Sequence, residues 1–550
     1  MNKKFSIIQQ MKEQLQDHAI DVKSETIFFV TTCEGTSRAT VWRTQGSNFA
    51  KAWFKVERYI NKFLVLPIWL KVEIVTSRKK KSLDQAIKEI KLTKRNNYFP
   101  YGIEFGNKYS LLSQEIVGNA ILVPDPEHII GKNSARLQVH KTNLENYLKK
   151  KYQQPILQLS AILQEDWYFF STFSVFVEDG KVYPLESDFF GKDVRKITDD
   201  NQLIAAEEVI EYGTAYLSRQ IREDGSFIYG YYPAYDKIIP GYNSVRHFSS
   251  LYALIEAYEY SKDETLLMKI DKGLFWGIEQ LSLEKNGQLF VMEKTATGIE
   301  LKLGAQAMVI LALSKYEAAT NDPHYHQLLV NYLSGLEAFI DENGSTVHVL
   351  DEQLRAKERF RIIYYDGEAL FSIMRAYPLT DDPRWLRLGE KLMDRFILNR
   401  YEKFHDHWLS YSVNELTTYL PKREYFEFGI KNAIGNLDFI HERDTAYPTM
   451  LELLVAAAKM YKRLSDSPYK TELLKEEEHQ KLLAVTRKRL IHELRTGTMW
   501  PELAMYYARP AKIRGGFYAR HARCRMRIDD AEHFLSGIIN YKQFMDIPLA

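Results

Sequence analysis

The sequence predicts a mainly α-helical chain, in which six helical hairpins form a closed ring after a smaller α/β or α+β N-terminal domain. Short strand-like runs precede residue 195. After residue 200, segments that are apolar on most faces alternate with amphipathic ones, and one kind of connection recurs between them. A helix that is apolar all round must be buried on every side. A ring with one helix of each hairpin inside and the other outside meets that requirement.

The composition restricts the class of protein. The 550 residues carry 74 Lys+Arg against 72 Asp+Glu, a net charge of +2, and 45% of them are hydrophobic. This apolar fraction excludes a disordered chain, and the near-neutral charge argues against a dedicated nucleic-acid-binding protein. Cys33 and Cys524 are too few and too far apart for a disulfide framework or a zinc site. The 35 Tyr are a marked excess.

Residues 1–195 mix predicted strands and helices. Strands are expected at 26–32, 39–44 and 70–76, helices at 48–63 and 83–93, and a hairpin around Glu178-Asp179-Gly180. The apolar run 63–70 is too short to cross a membrane and is interpreted as a buried strand. We find no glycine-rich phosphate loop and no signal peptide, so a cytoplasmic protein without an integral membrane segment is expected.

Residues 200–550 alternate between the two kinds of helix. The near-apolar segments are predicted to begin near Asn243, Gly304, Asp366, Asp406, Thr445 and Asp529. The amphipathic segments are predicted at 203–221, 264–281, 323–340, 383–398, 423–440 and 471–494. The connections EYSKDETLL, EAATNDPHY and AYPLTDDPRW each place Asp just before an amphipathic helix, twice followed by Pro. Asp at the N-cap with Pro at the first helical position is a helix-start signal.

This helix count and the recurring connection resemble the (α/α)6 barrels of six-hairpin glycosidases, N-acylglucosamine epimerases and uronate C5-epimerases. The resemblance covers residues 200–550 and includes no motif that fixes one activity. It implies a deep saccharide-binding pocket at one end of the barrel. Because fold alone does not determine function, the activity has to be argued from the site.

The polar residues near the starts of the near-apolar helices are the candidates for catalysis. They comprise four acids and three histidines: Asp366, Asp406, Asp529, Asp530, His247, His407 and His533. Paired carboxylates indicate glycoside hydrolysis, which we place first because acids outnumber histidines. Histidine acid–base chemistry indicates a sugar epimerase or lyase. A non-catalytic glycan-binding or glycan-assembly protein stays open, because each Asp fits an N-cap and His247 fits a satisfied core position.

A second set of side chains is expected to hold the substrate. It comprises Arg246, Tyr242, Tyr364, Tyr365, Glu368, Trp408, Tyr447, Arg523, Arg525 and Arg527. Aromatic rings offer stacking surfaces to sugars, and the Arg-dense segment 514–527 favours an anionic saccharide carrying a uronate or phosphate. The alternative is an ion-pair network between these Arg and Asp529 or Asp530. No cofactor, metal or nucleic-acid partner is expected, and the sequence leaves the oligomeric state open.

Overall fold

The computed structural model describes residues 3–19, 25–93, 99–131, 134–187, 193–296 and 298–545. Contacts divide the chain into two compact units. The first comprises Met1–Thr198, Tyr231–Ile238 and Arg495–Met526, and the second Asp199–Gly230, Ile239–Leu494 and Arg527–Ala550. Both units are therefore discontinuous, whereas the sequence predicted one division near residues 195–200. None of the described helices is long and apolar enough to span a bilayer.

The first unit is built on an antiparallel sheet. Its strands are β1 (Thr26–Cys33), β2 (Thr40–Gly46), β3 (Trp69–Lys81), β4 (Gly102–Phe105), β5 (Tyr109–Leu111), β6 (Leu122–Gly131), β7 (Ser134–Val139), β8 (Trp167–Glu178), β9 (Lys181–Glu186) and β10 (Val194–Arg195). The order is β10-β9-β8-β3-β1-β2, β4 also pairs with β8, and β6 and β7 form a separate hairpin. Because these pairs are antiparallel, the unit is α+β rather than α/β.

Six helices lie in the same part of the chain as this sheet. They are α1 (Lys3–Gln16), α2 (Phe49–Ile60), α3 (Leu83–Leu92), α4 (Ser113–Gly118), α5 (Lys141–Lys151) and α6 (Leu159–Gln164). Asn48 caps α2 by accepting a hydrogen bond from the Lys51 N–H. The buried face of α2, which includes Trp53 and Val56, shares a core with Leu70 and Val72 of β3. The apolar residues that recur at helical spacing in α2 and those that alternate along β3 therefore pack together in this core.

The prediction of a buried strand over residues 63–70 is wrong. Only Trp69 and Leu70 belong to β3, whereas the side chains of Leu64 and Val65 are 101% and 82% exposed. The chain leaves α2 through turn hydrogen bonds and then meets Pro67, which has no N–H to give to a sheet. The apolar run is consequently a loop.

The second unit is mainly helical. The remaining helices of the chain are α7 (Gln202–Ser218), α8 (Ser244–Ser261), α9 (Glu264–Leu281), α10 (Leu303–Thr320), α11 (His326–Leu336), α12 (Tyr364–Thr380), α13 (Pro383–Leu398), α14 (His407–Tyr419), α15 (Arg423–Ile434), α16 (Leu437–Glu442), α17 (Pro448–Ser465), α18 (Lys470–Leu473), α19 (Glu476–Thr496), α20 (Pro501–Ala504), α21 (Pro510–Ile513) and α22 (Ile528–Met545). The remaining strands are β11 (Gly230–Tyr232), β12 (Lys237–Ile239), β13 (Ser282–Lys285), β14 (Gln288–Thr295), β15 (Gly298–Lys302), β16 (Val349–Leu350), β17 (Ala356–Glu358) and β18 (Met526–Arg527). Of these, α20 and α21 lie in the first unit, and so do most of β11 and β12, while β18 and the last turn of α19 contain residues of both units.

Six of the described helices close a ring. Going round it, α8 packs on α10, α10 on α12, α12 on α14, α14 on α17, α17 on α22, and α22 again on α8. Helices α9, α11, α13, α15 and α7 pack outside this ring against α8, α10, α12, α14 and α22. Inner helix α10 is buried without interruption from Leu303 to Tyr316, as a helix enclosed on all sides must be. The predicted (α/α)6 resemblance is confirmed.

The three recurring connections share one geometry. Lys262, Asn321 and Asp381 each end an inner helix in the left-handed conformation, with φ of 54°, 57° and 49°. The next residue in each case is an Asp whose side chain accepts a backbone N–H two residues on. The same chemistry therefore ends one helix and starts the next three times.

Candidate functional site

Ionisable side chains gather where five inner helices begin. They are Arg246 on α8, Glu368 on α12, His407 on α14, Glu452 on α17, and Glu532 and His533 on α22. We call these six residues the ring-end cluster. All except Arg246 are buried. Ionisable groups are rarely buried without partners, so the contacts of each decide what the cluster can do.

Arg246 lies at the centre of the acidic half of the cluster. Its Nε is 2.7 Å from Asp529 Oδ1, and its Nη1 is 3.0 Å from Glu532 Oε1 and 3.3 Å from His533 Nε2. Burial disfavours the charged guanidinium, but the carboxylates of Asp529 and Glu532 outweigh burial and raise the pKa of Arg246. Arg246 therefore keeps its charge and acts only as a donor.

His533 is held between Arg246 and Glu452. Because Arg246 can only donate, the hydrogen-bond network assigns His533 Nε2 as an acceptor and places the ring proton on Nδ1. This Nδ1 is 2.9 Å from Glu452 Oε2. Burial lowers the pKa of His533, which agrees with a neutral imidazole.

His407 approaches the same carboxylate from α14. Its Nε2 is 4.0 Å from Glu452 Oε2, and the His407 and His533 ring centroids are 5.1 Å apart at an interplanar angle of 81°. The Tyr411 hydroxyl donates to Glu452 Oε1 at 3.3 Å. Two imidazoles thus flank one buried carboxyl group.

Asp406 orients His407 and also caps α14. One carboxylate oxygen accepts the Leu409 N–H at 3.1 Å, and the other lies 3.1 Å from His407 Nδ1. An ionised carboxylate only accepts, so the His407 proton is assigned to Nδ1 and its Nε2 carries the lone pair. The Asp406–His407 pair has the arrangement of a carboxylate-oriented general base.

Four buried polar atoms near these residues have no hydrogen-bond partner among the described residues. They are Glu368 Oε2 on α12, His407 Nε2 and Trp408 Nε1 on α14, and Glu452 Oε2 on α17. Buried polar groups are nearly always paired, and unpaired ones call for a specific explanation. A bound polar ligand that accepts from Trp408 and meets the other atoms would supply it.

Two carboxyl groups of the cluster are poised to be neutral. Burial raises the pKa of Glu368 and of Glu452 to about 8, whereas that of Glu532, which is paired with Arg246, rises only to about 7. Nearby Asp406 and Asp529 raise the pKa of Glu368 further, while Arg246 opposes the shift. A neutral carboxyl can donate a hydrogen bond, which a carboxylate cannot.

Metal-ligating atoms also approach each other here. His407, Glu452 and His533 each offer one ligand atom, all within 4.8 Å of one another. Coordination by His533 Nδ1 would require a lone pair on the nitrogen to which the Arg246 contact assigns the proton. The arrangement therefore suits proton transfer better than metal binding.

The other predicted catalytic residues have different surroundings. Asp366 is buried beneath His348, whose Nε2 is 3.0 Å from Asp366 Oδ2. His247 is satisfied at both nitrogens, by the Tyr242 hydroxyl at 2.7 Å and the Gly273 carbonyl at 3.0 Å. Burial lowers the pKa of His247 to about 4. Neither Asp366 nor His247 contacts the six residues of the ring-end cluster through a described hydrogen bond.

The predicted arginine ligands are split between the two units. Arg527 in the second unit pairs with Asp529 at 2.7 Å and with Asp530 at 2.9 Å, as the ion-pair alternative proposed. Arg523 and Arg525 lie in the first unit, and their role in ligand binding stays a prediction.

The predicted aromatic ligands are spread around the second unit. The Tyr364 ring meets His407 edge to face at 5.1 Å, and the Trp408 ring lies 5.8 Å from His533. The Tyr365 ring is 5.4 Å from His348, away from the histidine pair, and Tyr447 is 37% exposed beside Arg443. Tyr364 and Trp408 are therefore the two that border the histidine pair.

Sequence reasoning missed Glu452 and Glu532. Both are buried acids of inner helices, and Glu532 Oε2 accepts hydrogen bonds from Ser249 and Ser250, the latter at 3.1 Å. The signal in the sequence that could have identified these two residues is the negative charge of a Glu on an inner helix. A lone Glu within TMLELLVAAAKMY has no solvent face to occupy on an inner helix, so it must serve the interior.

Similarity to known proteins is found among solved structures. The sequence matches no protein-family model and no curated protein. The chain is similar to a sugar epimerase from a ruminal bacterium, at 12% identity over 63% of this chain and 100% of that one, with a TM-score of 0.48. It is similar to the cellobiose 2-epimerase of Bacillus thermoamylovorans (13%, 62% and 99%, TM-score 0.46) and to an unsaturated glucuronyl hydrolase specific for heparin (10%, 64% and 99%, TM-score 0.46).

Proposed function

We propose that the ring-end cluster moves a proton at the carbon next to the carbonyl of a reducing saccharide, and so epimerises or isomerises the sugar. The observation that carries the proposal is the pair of imidazoles, 5.1 Å apart, with one buried carboxyl between them and one unpaired nitrogen. Histidine is the side chain best suited to give and take protons near neutral pH.

The reaction follows from the assigned protons. His407 Nε2 takes the proton from C2 of the open-chain sugar, and the C–H electron pair moves into the C1–C2 bond as the carbonyl electrons move to O1. The resulting enediolate receives the Nδ1 proton of His533 on the opposite face of C2 as the neutral carboxyl of Glu452, 2.9 Å from that nitrogen, gives its own proton to the ring, so that no imidazolate forms and the epimer results. Protonation at C1, with loss of the O2 proton, gives the ketose instead. His407 returns its proton to solvent and Glu452 regains one, so each turnover is balanced.

Neighbouring groups stabilise the charge that develops on O1. The neutral carboxyl of Glu368 can donate to an enediolate oxygen from a buried position, where such a hydrogen bond is strongest. Arg246 holds His533 at Nε2 and compensates the carboxylates of Asp529 and Glu532. Arg246 is therefore a positioning residue for the acid.

The surroundings favour a neutral sugar over an anionic one. Arg246 and Arg527, the two arginines of this unit that were predicted to hold the substrate, are both paired with carboxylates. Trp408 Nε1 and the ring of Tyr364 provide a donor and an apolar surface, the combination that sugar hydroxyls and C–H faces need. We therefore assign the ligand as a neutral reducing saccharide.

Glycoside hydrolysis is the second candidate, and one observation favours it. Burial raises the pKa of Glu368 to about 8, and its Oε2 has no hydrogen-bond partner among the described residues, as suits a general acid for a leaving group. A hydrolase also needs a free carboxylate on the other side of the bond. Asp406 and Asp529 both carry partners already, which is why this candidate ranks second.

The two candidates are separated by their products. We expect wild-type protein, incubated with a panel of neutral reducing mono- and disaccharides, to form an epimer or ketose visible by NMR. The double variant His407→Gln/His533→Gln should form none, and the exposed His441→Gln should behave as wild type. Release of nitrophenol from nitrophenyl glycosides, lost in Glu368→Gln but retained in the double histidine variant, would instead establish hydrolysis.

A further inference from the structure

The first unit displays apolar side chains on a loop tip beside α2. Leu64 and Val65 are 101% and 82% exposed, Ile68 is 53% exposed, and Phe54 on α2 is 65% exposed. Isolated apolar residues on a surface are ordinary, but adjacent aliphatic residues with almost no contact to their own protein are not. We call Phe54, Leu64, Val65 and Ile68 the loop patch.

The loop that carries the patch is held firmly at its base. The Lys4 ammonium donates to the Phe63 carbonyl at 2.5 Å, and Leu66 packs into the core that α2 shares with the sheet. Pro67 is buried. Leu64 and Val65 therefore project from an anchored loop in which the residues on both sides face inward.

The helix that precedes the loop carries a basic face. Four basic residues are exposed here: Lys51, Lys55, Arg58 and Lys62. Because successive residues of a helix are about 100° apart, these four fall within one arc of α2 and of the turn that follows it. Phe54 lies at the edge of that arc. The buried side chains of α2 occupy the opposite arc. Lys55 donates to the Gln45 carbonyl at 2.7 Å, and Lys62 lies over the Tyr59 ring.

These four cations are not neutralised by their neighbours. Across the part of the chain that the structure describes, no ion pair within 4.0 Å joins a carboxylate to Lys51, Lys55, Arg58 or Lys62. Glu57 is the acid of α2 and falls outside their arc. The surface thus combines uncompensated positive charge with protruding aliphatic side chains.

We infer that this surface docks on an anionic lipid bilayer, with Leu64 and Val65 entering the headgroup region and the basic face contacting lipid phosphates. Protruding aliphatic residues flanked by Lys and Arg suit the interface of a charged membrane. A protein partner fits less well, because protein–protein interfaces are depleted in Lys. The inference stands apart from the proposed reaction.

Vesicle flotation with the full-length protein tests the inference. We expect binding to vesicles of equimolar phosphatidylcholine and phosphatidylglycerol, and much weaker binding to phosphatidylcholine alone. Binding should fall as salt screens the phosphates. Leu64→Ser/Val65→Ser should weaken binding by about tenfold or more, since burial of two aliphatic side chains is lost. Arg58→Gln/Lys62→Gln should weaken it by roughly fivefold per charge.

Ile156→Ser is the matched control, because Ile156 is 88% exposed and lies in the same unit. It should bind like wild type, and all variants should keep the wild-type thermal transition. Equal binding to both kinds of vesicle, absence of binding, or wild-type binding by Leu64→Ser/Val65→Ser would overturn the inference. So would a change of oligomeric state in that variant on ultracentrifugation, which would assign the patch to a protein contact.

Discussion

His247 and His407 both lie near the starts of inner helices, α8 and α14, yet their surroundings give them different chemistry. His247 has both nitrogens engaged by Tyr242 and Gly273, and burial lowers its pKa to about 4. His407 has one nitrogen oriented by Asp406 and the other unpaired. A histidine in a sequence therefore becomes a candidate base only when a lone pair remains free after folding.

Glu368 gives a residue-scale prediction about stability and pH. Burial raises its pKa from 4.5 to about 8, so the folded protein binds this proton more tightly than the unfolded chain. A raised carboxyl pKa contributes stability below the unfolded pKa, and that contribution is lost as the pH rises through the folded value. Glu368→Gln removes the ionisable group. Its stability relative to wild type should therefore increase between about pH 4.5 and about pH 8.

Thermal unfolding of both proteins across this pH range measures the effect. At pH 7 the gain in the free energy of unfolding is at most about 3 kcal/mol, because each pH unit above the pKa of the unfolded chain contributes about 1.36 kcal/mol. The exposed Glu279→Gln serves as control and should follow wild type at every pH. A Glu368→Gln curve parallel to wild type would show that Glu368 is ionised in the folded protein.

At the scale of the element, the start of α14 combines a structural and a chemical role in one side chain. Asp406 accepts the Leu409 N–H with one oxygen and faces His407 Nδ1 with the other. In Asp406→Asn the amide oxygen can keep the cap, since Asn caps helices about as well as Asp. The amide N–H groups would then face His407 and force its proton onto Nε2, which removes the base.

Asp406→Asn should accordingly keep its melting temperature and lose epimer formation by about 100-fold or more. Circular dichroism and the NMR product assay measure the two quantities on the same sample. Asp382→Asn, at the cap of α13, is the matched control and should keep both. A loss of folding in Asp406→Asn would assign this Asp to capping alone.

The elements also show what sequence can predict. Amphipathic α13 begins and ends where the pattern places it, because Asp382 and Pro383 mark its start and its polar face stays in water. The loop at 63–70 was misjudged because an apolar run indicates burial only where something covers it. Glu452 was missed because the mainly apolar sequence of α17 gives no hint of which neighbouring helix its single acid will meet. Such contacts join inner helices that are distant in sequence.

At the scale of the whole second unit, closure of the ring creates the site. Arg246 from α8 meets Glu532 and His533 from α22 because the first and last inner helices are neighbours. The helix starts supply polar side chains to a buried position, and the apolar middles of the same helices form the wall. Glu452, the carboxyl that lies between the two histidines, is on a third helix, so the proposed acid–base unit forms only in the closed ring.

The most direct test of the central claim is hydrogen exchange at C2 of each epimer in D2O, followed by NMR with single histidine variants. Wild type should exchange C2–H of both epimers. His533→Gln should exchange only the epimer whose C2–H faces His407, His407→Gln only the other, and neither should interconvert them. Exchange of both epimers at wild-type rates in both variants, or equal loss of both in both variants, would contradict a pair of imidazoles acting on opposite faces of the sugar.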